Sequence, residues 1–359
     1  MNAPAELLVD TAAGPAHITT PAPRDIWWEL AGEDPGTHPS QTPPWLDCLC
    51  ATGPYRDTSR LYEFEGGRRL VLPLVGSSRP RILDTEESWP ARWGIGGPVC
   101  PAEASPAEAR AVFADLAGLR ALRVGVRLRP ADRDVWADSA LGYRLEPHMT
   151  QMVDLDGGFD AVWQGRFRRH VRREVRHAER SDVDVEVDRT GRLVGAFYRL
   201  YCTSMVRWAE QQHEPLALAR RRRTREFPVR RLEEVAARFG ERCAIWVAWR
   251  AGEPAAACVV LRHAGHAKLW RSAMDRELAH PVHAVPLLYR LAIEDACAAG
   301  CRTFDMGESA PGSSLAAFKA GFGARSFSSP RCLKERVPLS AAEHRLRAAV
   351  KRLIRFQDP

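Results

Sequence analysis

The chain is rich in arginine and almost without lysine, so each lysine calls for an explanation. It contains 48 arginines but only four lysines, at positions 268, 319, 334 and 351. Lys319 lies in the segment TFDMGESAPGSSLAAFKAGFGAR, residues 303–325. A cation that is fixed in place can stabilise negative charge that develops on an oxygen atom during a reaction, which lowers the barrier by several kcal/mol. Lys319 is therefore the first candidate catalytic residue, and the alternative is a lysine that only solvates a helix face.

Three polar residues that precede this lysine complete the candidate site. Asp305, Glu308 and Ser309 stand at the carboxyl end of a predicted strand, where ligands collect in open α/β sheets. Glu308 is a second candidate catalytic residue, because a carboxylate there could orient a substrate or relay a proton. Asp305 and Ser309 are candidates for substrate binding. Loop solvation or helix capping stays open as the alternative for all three.

The cysteines do not indicate a metal site. The nine cysteines are scattered, and neither Cys48-x-Cys50 nor Cys297-x3-Cys301 has a second ligand pair at the spacing of a zinc site. We expect reduced, mostly buried thiols and no bound metal.

The elements that place Lys319 follow an order that occurs twice in the chain. Residues 60–76 and residues 243–262 each predict two strands joined by a glycine-containing turn. A helix, a glycine and a strand follow each hairpin, with Gly118 and Gly300 as the predicted helix ends. This order is that of a mixed α/β unit, and its recurrence predicts an internal duplication.

The end of each predicted unit supports the duplication. A second helix is followed by Gly142-x-Arg in one half and Gly323-x-Arg in the other, 24 and 23 residues after the helix-ending glycines. The first half has Asp138 at the offset that Lys319 occupies in the second half. We therefore expect one active centre, in the second unit.

The fold class that follows is α/β (α+β), with two tandem units built on mixed central sheets. The sequence predicts a flexible segment over residues 1–23, a first unit over 24–150, a second unit over 151–337 and an amphipathic helix over 338–359 that packs on the body. The second unit is expected to contain a basic helix over residues 160–180, two further helices before its hairpin, and a last strand over 331–337. The predicted core stripe of the basic helix consists of Phe167, Val171, Val175 and Ala178.

Several motifs together resemble the FemAB-like and related GNAT-type acyltransferases. They are RFRRHVRREVRHAERSDVDVEV, FYRLYCTSMVR, FDMGES and AAFKAGFGA in the second half, and QTPPW and RWGIGGPV in the first. The resemblance covers most of residues 25–337 and implies two GNAT-like units that form an amide bond. It implies an aminoacyl-tRNA or an acyl-coenzyme A as donor co-substrate, no tightly bound cofactor, and a small-molecule or peptide amine as acceptor.

The resemblance also implies roles for individual residues. Lys319 would face the reacting ester of the donor with Phe318 beside it, although Phe318 and Phe322 have the i, i+4 spacing of a core stripe. Arg207 would bind an acceptor phosphate, and Trp45 in the first-unit motif would contribute to substrate binding. Tyr289 would protonate a departing thiolate in the coenzyme A version, or pack in the core.

The loop before the helix that contains Tyr289 bears on the choice of donor. Residues 277–288 contain no glycine, and Pro281 and Pro286 remove two backbone N–H donors that a pyrophosphate would need. Exposed arginines on two predicted helices could instead follow the phosphate backbone of tRNA. These candidates are Arg168, Arg169, Arg172, Arg173, Arg176, Arg220, Arg221, Arg222 and Arg223. A tRNA-borne donor is thereby slightly preferred, and solvated arginine faces are the alternative reading.

Composition restricts the class of protein and its cellular compartment. The formal net charge is +7 and the hydrophobic fraction is 45%, which suit a globular protein with an anionic partner. The sequence shows neither a signal peptide nor a membrane span, so we expect a cytoplasmic protein. Three functions stay open at this point: aminoacyl transfer from tRNA, acyl transfer from coenzyme A, and RNA binding without catalysis on a GNAT-like scaffold.

Overall fold

The computed structural model describes residues 5–11, 13–77, 84–90, 93–354 and 356. The chain forms two compact units. The first consists of residues 1–150 and 326–339, and the second consists of residues 151–325 and 340–359.

The first half of the chain contains both of the predicted hairpin strands and the predicted helix–strand–helix order. Its elements are β1 Ala5–Thr11, β2 Gly14–Thr20, α1 Arg24–Glu33, α2 Pro43–Thr52, β3 Tyr55–Asp57, β4 Arg60–Phe64, β5 Arg69–Leu72, β6 Val75–Ser77, β7 Thr85–Glu87, α3 Pro106–Gly118, β8 Arg123–Arg127, α4 Arg133–Ser139 and β9 Arg144–Glu146. Gly66 and Gly67 adopt φ angles of 78° and 77° in the turn between β4 and β5, a conformation that favours glycine.

The second half begins at β10 and repeats the hairpin with longer strands. Its elements are β10 Met149–Asp154, α5 Gly158–Ala161, α6 Arg169–Ala178, β11 Asp184–Asp188, α7 Val194–Gln211, α8 Leu216–Glu226, α9 Val229–Phe239, β12 Cys243–Arg250, β13 Glu253–His263, β14 His266–Met274, α10 Arg276–Ala279, α11 Ala284–Ala298, β15 Thr303–Gly307, α12 Ser314–Gly321, β16 Arg325–Ser328, β17 Arg331–Glu335 and α13 Leu339–Leu353. Three helices, α7 to α9, stand where the sequence predicted two.

The first unit contains two sheets among its described residues. One has the order β1-β2-β4-β5, and the other has the order β3-β6-β7-β8-β17-β9. The second sheet is mixed, because β7 and β8 run parallel while β8 and β17 run antiparallel. Helices α3 and α4 pack against these strands through an apolar cluster that includes Phe113 and Trp136.

The prediction of a flexible segment over residues 1–23 is wrong for the described part of it. Strands β1 and β2 form an antiparallel hairpin, and β2 also pairs with β4. Ala16 and Ile18 are each 1% exposed, whereas His17 between them points away from the core. Buried and exposed residues thus alternate over a short stretch that forms a strand. The Ala-, Pro- and Thr-rich composition of this stretch did not indicate a strand.

The last strand, β17, belongs to the sheet of the first unit and not to the second unit as predicted. Its residues pair with β8 on one side and with β9 on the other. Cys332, at 0% exposure, joins the apolar cluster on one face of that sheet, and Leu333, at 2% exposure, is buried on the opposite face. The sequence prediction assigned this strand to the same unit as its neighbours in sequence. In the structure, the strand pairs where open sheet edges accept its backbone N–H and C=O groups.

The second unit is built on a mixed seven-stranded sheet. The strand order is β11-β12-β13-β14-β15-β10-β16, and β14 and β15 form a parallel pair. Helix α11 connects these two strands and packs on the sheet through residues such as Ala292 and Ile293, each 0% exposed. The prediction of tandem α/β units with mixed sheets is confirmed.

The basic helix predicted over residues 160–180 is interrupted. Helix α5 continues into a π-helical turn over Val162–Arg166, and α6 starts again at Arg169. The break lets the Arg168 N–H bond to the carbonyl of Gly321. The predicted core stripe is confirmed, because Phe167, Val171, Val175 and Ala178 are each at most 3% exposed.

The C-terminal helix α13 does not pack on the body as predicted. Residues 341–350 are all exposed, and Ser340 is the buried residue of this helix. Among the described residues, no helix is both long enough and apolar enough to cross a bilayer.

Candidate active site

Lys319 is buried at the carboxyl end of β15. Helix α12, whose first turn is capped by the Ser313 hydroxyl, brings the lysine back toward the strand that precedes it. The Nζ atom donates to the carbonyl oxygens of Gly307 at 3.1 Å and Glu308 at 2.8 Å. Only 4% of the residue is exposed, so the alternative in which Lys319 merely solvates a helix face is wrong.

A second lysine that the sequence reasoning did not assign lies in the same site. Lys268 on β14 forms an ion pair with Asp305, with 2.6 Å between Nζ and Oδ2. Asp305 is 0% exposed, and its other oxygen accepts from the Gly307 N–H at 2.6 Å. Asp305 thus holds the loop in place instead of offering a carboxylate to a substrate. The rarity of lysine in this chain was the signal that could have identified Lys268.

The surroundings lower the pKa of Lys319 to about 8 from an ordinary value of 10.5. Burial is the largest cause, and the nearby Lys268 ammonium lowers the pKa further. The carboxylates of Asp305 and Glu308 offset part of this effect. Lys319 is therefore a cation in most molecules at neutral pH and loses its proton near pH 8.

Glu308 and Ser309 are arranged differently from each other. Glu308 is exposed, and its backbone carbonyl, not its side chain, accepts a hydrogen bond from Lys319. The Ser309 hydroxyl donates to the side-chain oxygen of Gln151, a buried residue of β10. The Gln151 amide in turn donates to the carbonyl of Ala316 at 3.3 Å. Ser309 thereby ties the loop to α12, and its hydroxyl already has a partner.

Phe318 and Tyr289 lie together in an aromatic cluster. The ring centroids of Tyr289 and Phe318 are 5.6 Å apart, and those of Phe318 and Phe322 are 5.2 Å apart. Tyr289 is 6% exposed, and burial raises the pKa of its hydroxyl well above the ordinary value. Phe322 is 0% exposed and lies in the core, whereas Phe318 is only partly buried and packs against that core. The cluster fixes the side of α12 from which Lys319 projects.

The strands on either side of this site separate beyond Lys268 and Asp305. The pairing of β14 with β15 comprises three residue pairs and ends at the pair Lys268 and Asp305. Strand β14 continues to Met274, where it remains paired with β13. The facing edges of β14 and β15 therefore diverge next to the residues that hold Lys319.

Arg207 belongs to a group of basic side chains near the start of α11. Its Nη1 atom donates to the carbonyl of Met274 at 3.2 Å. Burial and the neighbouring Arg276 guanidinium lower the pKa of Arg207. The pKa of His280 is lowered by burial and by Arg276, Arg207 and His283. Sequence reasoning singled out Arg207 and missed Arg276 and His280.

The start of α11 confirms what the sequence predicted about its backbone. Helix α11 begins at Ala284, so Pro286 removes an N–H from its first turn. His283 precedes the helix with a φ of 49°, and its ring lies 5.2 Å from that of His177. An anion at this helix start would depend on side chains more than on backbone N–H groups.

The candidate RNA-binding arginines fall into two groups. Exposed side chains on or next to α6 and α8 belong to Arg168, Arg169, Arg173, Arg176, Arg220 and Arg221. The other three contact the protein itself. Arg222 pairs with Glu214 at 2.6 Å, Arg223 contacts Gln212 and the Trp208 ring, and Arg172 donates to the Gln164 carbonyl at 2.8 Å.

The first unit contains no counterpart of the lysine site among its described residues. Asp138 is exposed on α4. Trp45 is 1% exposed, and its indole N–H donates to the Trp93 carbonyl at 3.0 Å. Trp45 is therefore a core residue and not the substrate-binding residue that the sequence predicted. Arg92, which begins the motif RWGIGGPV, lies outside the described residues.

All nine cysteines are free thiols, and six of them are buried. In the part of the chain that the structure describes, no group of three or more His, Cys, Asp or Glu side chains is placed to hold a metal ion.

Comparisons with known proteins agree with this fold. Residues 165–319 match the family model described as an acetyltransferase (GNAT) domain. FemX superposes with a TM-score of 0.65 at 13% identity, over 86% of this chain and 94% of FemX. The C-terminal domain of a putative lysylphosphatidylglycerol synthetase from Agrobacterium fabrum gives a TM-score of 0.55 at 14% identity, over 91% and 95% of the two chains.

A tandem GNAT protein from the clavulanic acid biosynthesis pathway gives a TM-score of 0.50 at 14% identity, over 94% of this chain and 99% of that protein. Comparison with curated protein sequences gives no significant match. The domain match supports an acyltransferase of the GNAT type. The chain shares the two-unit fold of FemX and of the tandem GNAT protein, and its second half contains the match to the GNAT domain.

Proposed function

We propose that this protein transfers an acyl group to an amine and so forms an amide bond, with an aminoacyl-tRNA as the preferred donor and Lys319 as the catalytic cation. The observation that carries the proposal is the buried Lys319 ammonium, oriented by the carbonyls of Gly307 and Glu308 at the end of β15. Such a fixed cation in a dry site stabilises charge without having to reorganise during the reaction.

The reaction assigns a simple role to this cation. The amine nitrogen of the acceptor forms a bond to the carbonyl carbon of the donor, and negative charge develops on the carbonyl oxygen. When the carbonyl re-forms, the bond between the carbonyl carbon and the ester oxygen breaks. The released oxygen takes up the proton that the amine loses and becomes a hydroxyl group. A lysine ammonium has three N–H groups, and two of them bond to Gly307 and Glu308. The third can donate to the developing oxyanion.

Arg207, Arg276 and His280 are proposed to bind a phosphate of one of the substrates. After burial, the Arg276 guanidinium is the next cause that lowers the pKa of Arg207, and Arg276 and Arg207 both lower the pKa of His280, so the three basic side chains lie close together. A phosphate between them would relieve this repulsion, and a guanidinium can bind it through two parallel hydrogen bonds. This assignment extends the role predicted for Arg207.

Exposed arginines favour a donor carried by tRNA. Arg169, Arg173 and Arg176 lie on α6 with their side chains exposed, on the face opposite the buried stripe of that helix. Guanidinium groups in such a row can contact successive phosphates of an RNA backbone. One protein of similar fold, from Agrobacterium fabrum, is named a putative lysylphosphatidylglycerol synthetase, and this name includes a lysyl group.

The divergence of β14 and β15 supports acyl-coenzyme A as the second candidate donor. Backbone groups on two separating strand edges can pair with an extended arm that contains amide groups, and coenzyme A has such an arm. In this version the thioester bond to sulfur would break, and Tyr289 would lie near the departing thiolate as a proton donor. The proline in the first turn of α11 speaks against tight pyrophosphate binding there.

Titration of the protein with three ligands tests the donor. The ligands are aminoacylated tRNA, the same tRNA without its amino acid, and acetyl-coenzyme A, each at about 50 and 200 mM salt. Saturable binding with a preference for charged tRNA would support the proposal. Binding of acetyl-coenzyme A alone would replace it with the second candidate.

Equal binding of charged and uncharged tRNA, no transfer activity in the wild type, and tRNA binding that is unchanged in Lys319→Met would instead indicate an RNA-binding protein without catalysis. The matched control is Lys334→Met, which removes a lysine from β17 in the first unit.

A further inference from the structure

Helix α13 presents a stripe of apolar side chains that nothing else in the described part of the chain covers. Leu346, Val350 and Leu353 are 67%, 42% and 84% exposed. Their spacing of four and then three residues places them on one face of the helix. Exposed leucines in such a row are costly in water, so this face is expected to have a partner.

Basic side chains flank the stripe on both sides. At about 100° per residue, Arg345 and Arg352 lie on one flank, and Arg347 and Lys351 lie on the other. The helix has one acidic residue, Glu343, and its carboxylate lies 3.9 Å from Arg347. The stripe is thus an apolar face bordered by positive charge.

A second copy of the same helix is a poor partner for this face. Pairing two copies stripe to stripe would bring Arg345 and Arg352 of one helix beside basic residues of the other, where coiled coils place opposite charges. The helix is also only 15 residues long, which provides about two heptads of contact. Charge complementarity instead requires a partner that is both apolar and negatively charged.

We propose that α13 binds the surface of a bilayer that contains anionic lipid. Leu346, Val350 and Leu353 would enter the boundary between headgroups and acyl chains, as the apolar face of an interfacial helix does. The flanking arginines and Lys351 would extend their side chains along that apolar surface and contact lipid phosphates. This inference goes beyond the proposed acyl transfer and does not depend on it.

Vesicle flotation with the full chain tests the proposal. One set of vesicles contains phosphatidylcholine alone, and the other contains about one third phosphatidylglycerol. We expect binding to the anionic vesicles and little binding to the neutral ones. Leu346→Ser with Leu353→Ser should abolish binding, and Arg345→Gln with Arg352→Gln should weaken it by about tenfold or more.

A charge-matched control separates this helix from the overall positive charge. Arg120→Gln with Arg230→Gln removes the same charge from exposed positions elsewhere, and its binding should equal that of the wild type. Equal loss in this control, binding that survives the double serine variant, or no binding to anionic vesicles would each overturn the proposal. Sedimentation velocity can also overturn the proposal. A dimer that the serine substitutions dissociate would mean that α13 binds a second copy of the chain.

Discussion

The Nζ atom of Lys319 lies 2.8 Å from the carbonyl oxygen of Glu308. The lysine is thus oriented by the backbone of the loop that contains the candidate carboxylate, while that carboxylate itself is on an exposed residue. A backbone carbonyl cannot be changed by substitution of Glu308, so the position of the cation should tolerate changes at residue 308. This relationship separates the role of Lys319 from that of Glu308.

Glu308→Gln is the first prediction that follows. Because the Glu308 carbonyl remains, we expect the orientation of Lys319 to be kept and turnover to fall by less than about tenfold. A loss of about 100-fold or more in transfer assays, with unchanged donor binding, would show that the carboxylate itself takes part in proton transfer.

The pH dependence of transfer provides a second prediction. A catalytic cation must be protonated, so kcat/KM is expected to fall as pH rises through about 8, the pKa of Lys319. Lys268→Met removes the neighbouring positive charge, and it also removes the ion pair that offsets the Asp305 carboxylate, and both changes raise the pKa of Lys319. The alkaline fall of kcat/KM should therefore move to higher pH.

Two controls accompany this pH profile. Lys268→Met with Asp305→Asn also removes the buried carboxylate, so the upward move should be smaller than in the single variant. Lys334→Met should leave the profile unchanged. The opposite pH dependence would contradict this role. If the wild-type rate rises through pH 8 as Lys319 becomes neutral, and this rise is absent in Lys319→Met, then Lys319 acts as a general base and not as a catalytic cation.

The stability of the protein should also report on the buried lysine. The lowered pKa means that the unfolded chain binds a proton that the folded chain releases between about pH 8 and 10.5. The free energy of unfolding of the wild type should therefore increase over this interval. Lys319→Met should lack this increase and should be more stable at pH 7 by on the order of 1 kcal/mol. Urea unfolding at several pH values measures both, and identical slopes in the two proteins would contradict the assignment.

The exposed arginines of α6 make a prediction about salt. If they contact tRNA phosphates, the triple variant of Arg169, Arg173 and Arg176 to Gln should bind tRNA more weakly at low salt. The slope of log affinity against log salt should become shallower by about one for each lost contact, hence by up to about three. A triple variant of Arg120, Arg133 and Arg230, which are basic residues on other surfaces, is the matched control. Equal slopes in the two variants would mean that α6 makes no specific contribution.

Strand β17 makes a prediction about the first unit. Leu333 is 2% exposed between β8 and β9, so Leu333→Ala should lower the free energy of unfolding by about 2–4 kcal/mol. Val337→Ala, at a position 43% exposed, should change it by less than about 0.5 kcal/mol. Comparable effects of the two substitutions in denaturant melts would contradict the placement of β17 between β8 and β9.

Local patterns predicted much of the fold. The two glycine turns, the helix–strand–helix order and the buried stripe of α6 all depend on periodicity within short windows, which sequence displays directly. The pairing of β17 with β8 depends instead on which edges are open after the rest of the sheet has formed. No window of sequence contains that information, and for this reason the last strand was assigned to the wrong unit.

Only part of the candidate site was predicted, because some of its contacts also join residues that are distant in sequence. Lys319 was identified because lysine is rare here, and the same reasoning could have been applied to Lys268. The ion pair between Lys268 and Asp305 joins residues on two strands, so their proximity follows from the parallel register of β14 and β15. Trp45 failed as a binding residue because a motif records the type of a side chain and not whether it is buried.

The central claim is that Lys319 is the catalytic cation, and turnover of Lys319→Met under single-turnover conditions tests it most directly. With the donor that the binding titration selects, we predict that donor binding stays nearly intact while the rate of transfer falls by about 100-fold or more. Lys334→Met should transfer at the wild-type rate. Wild-type transfer by Lys319→Met would contradict the account.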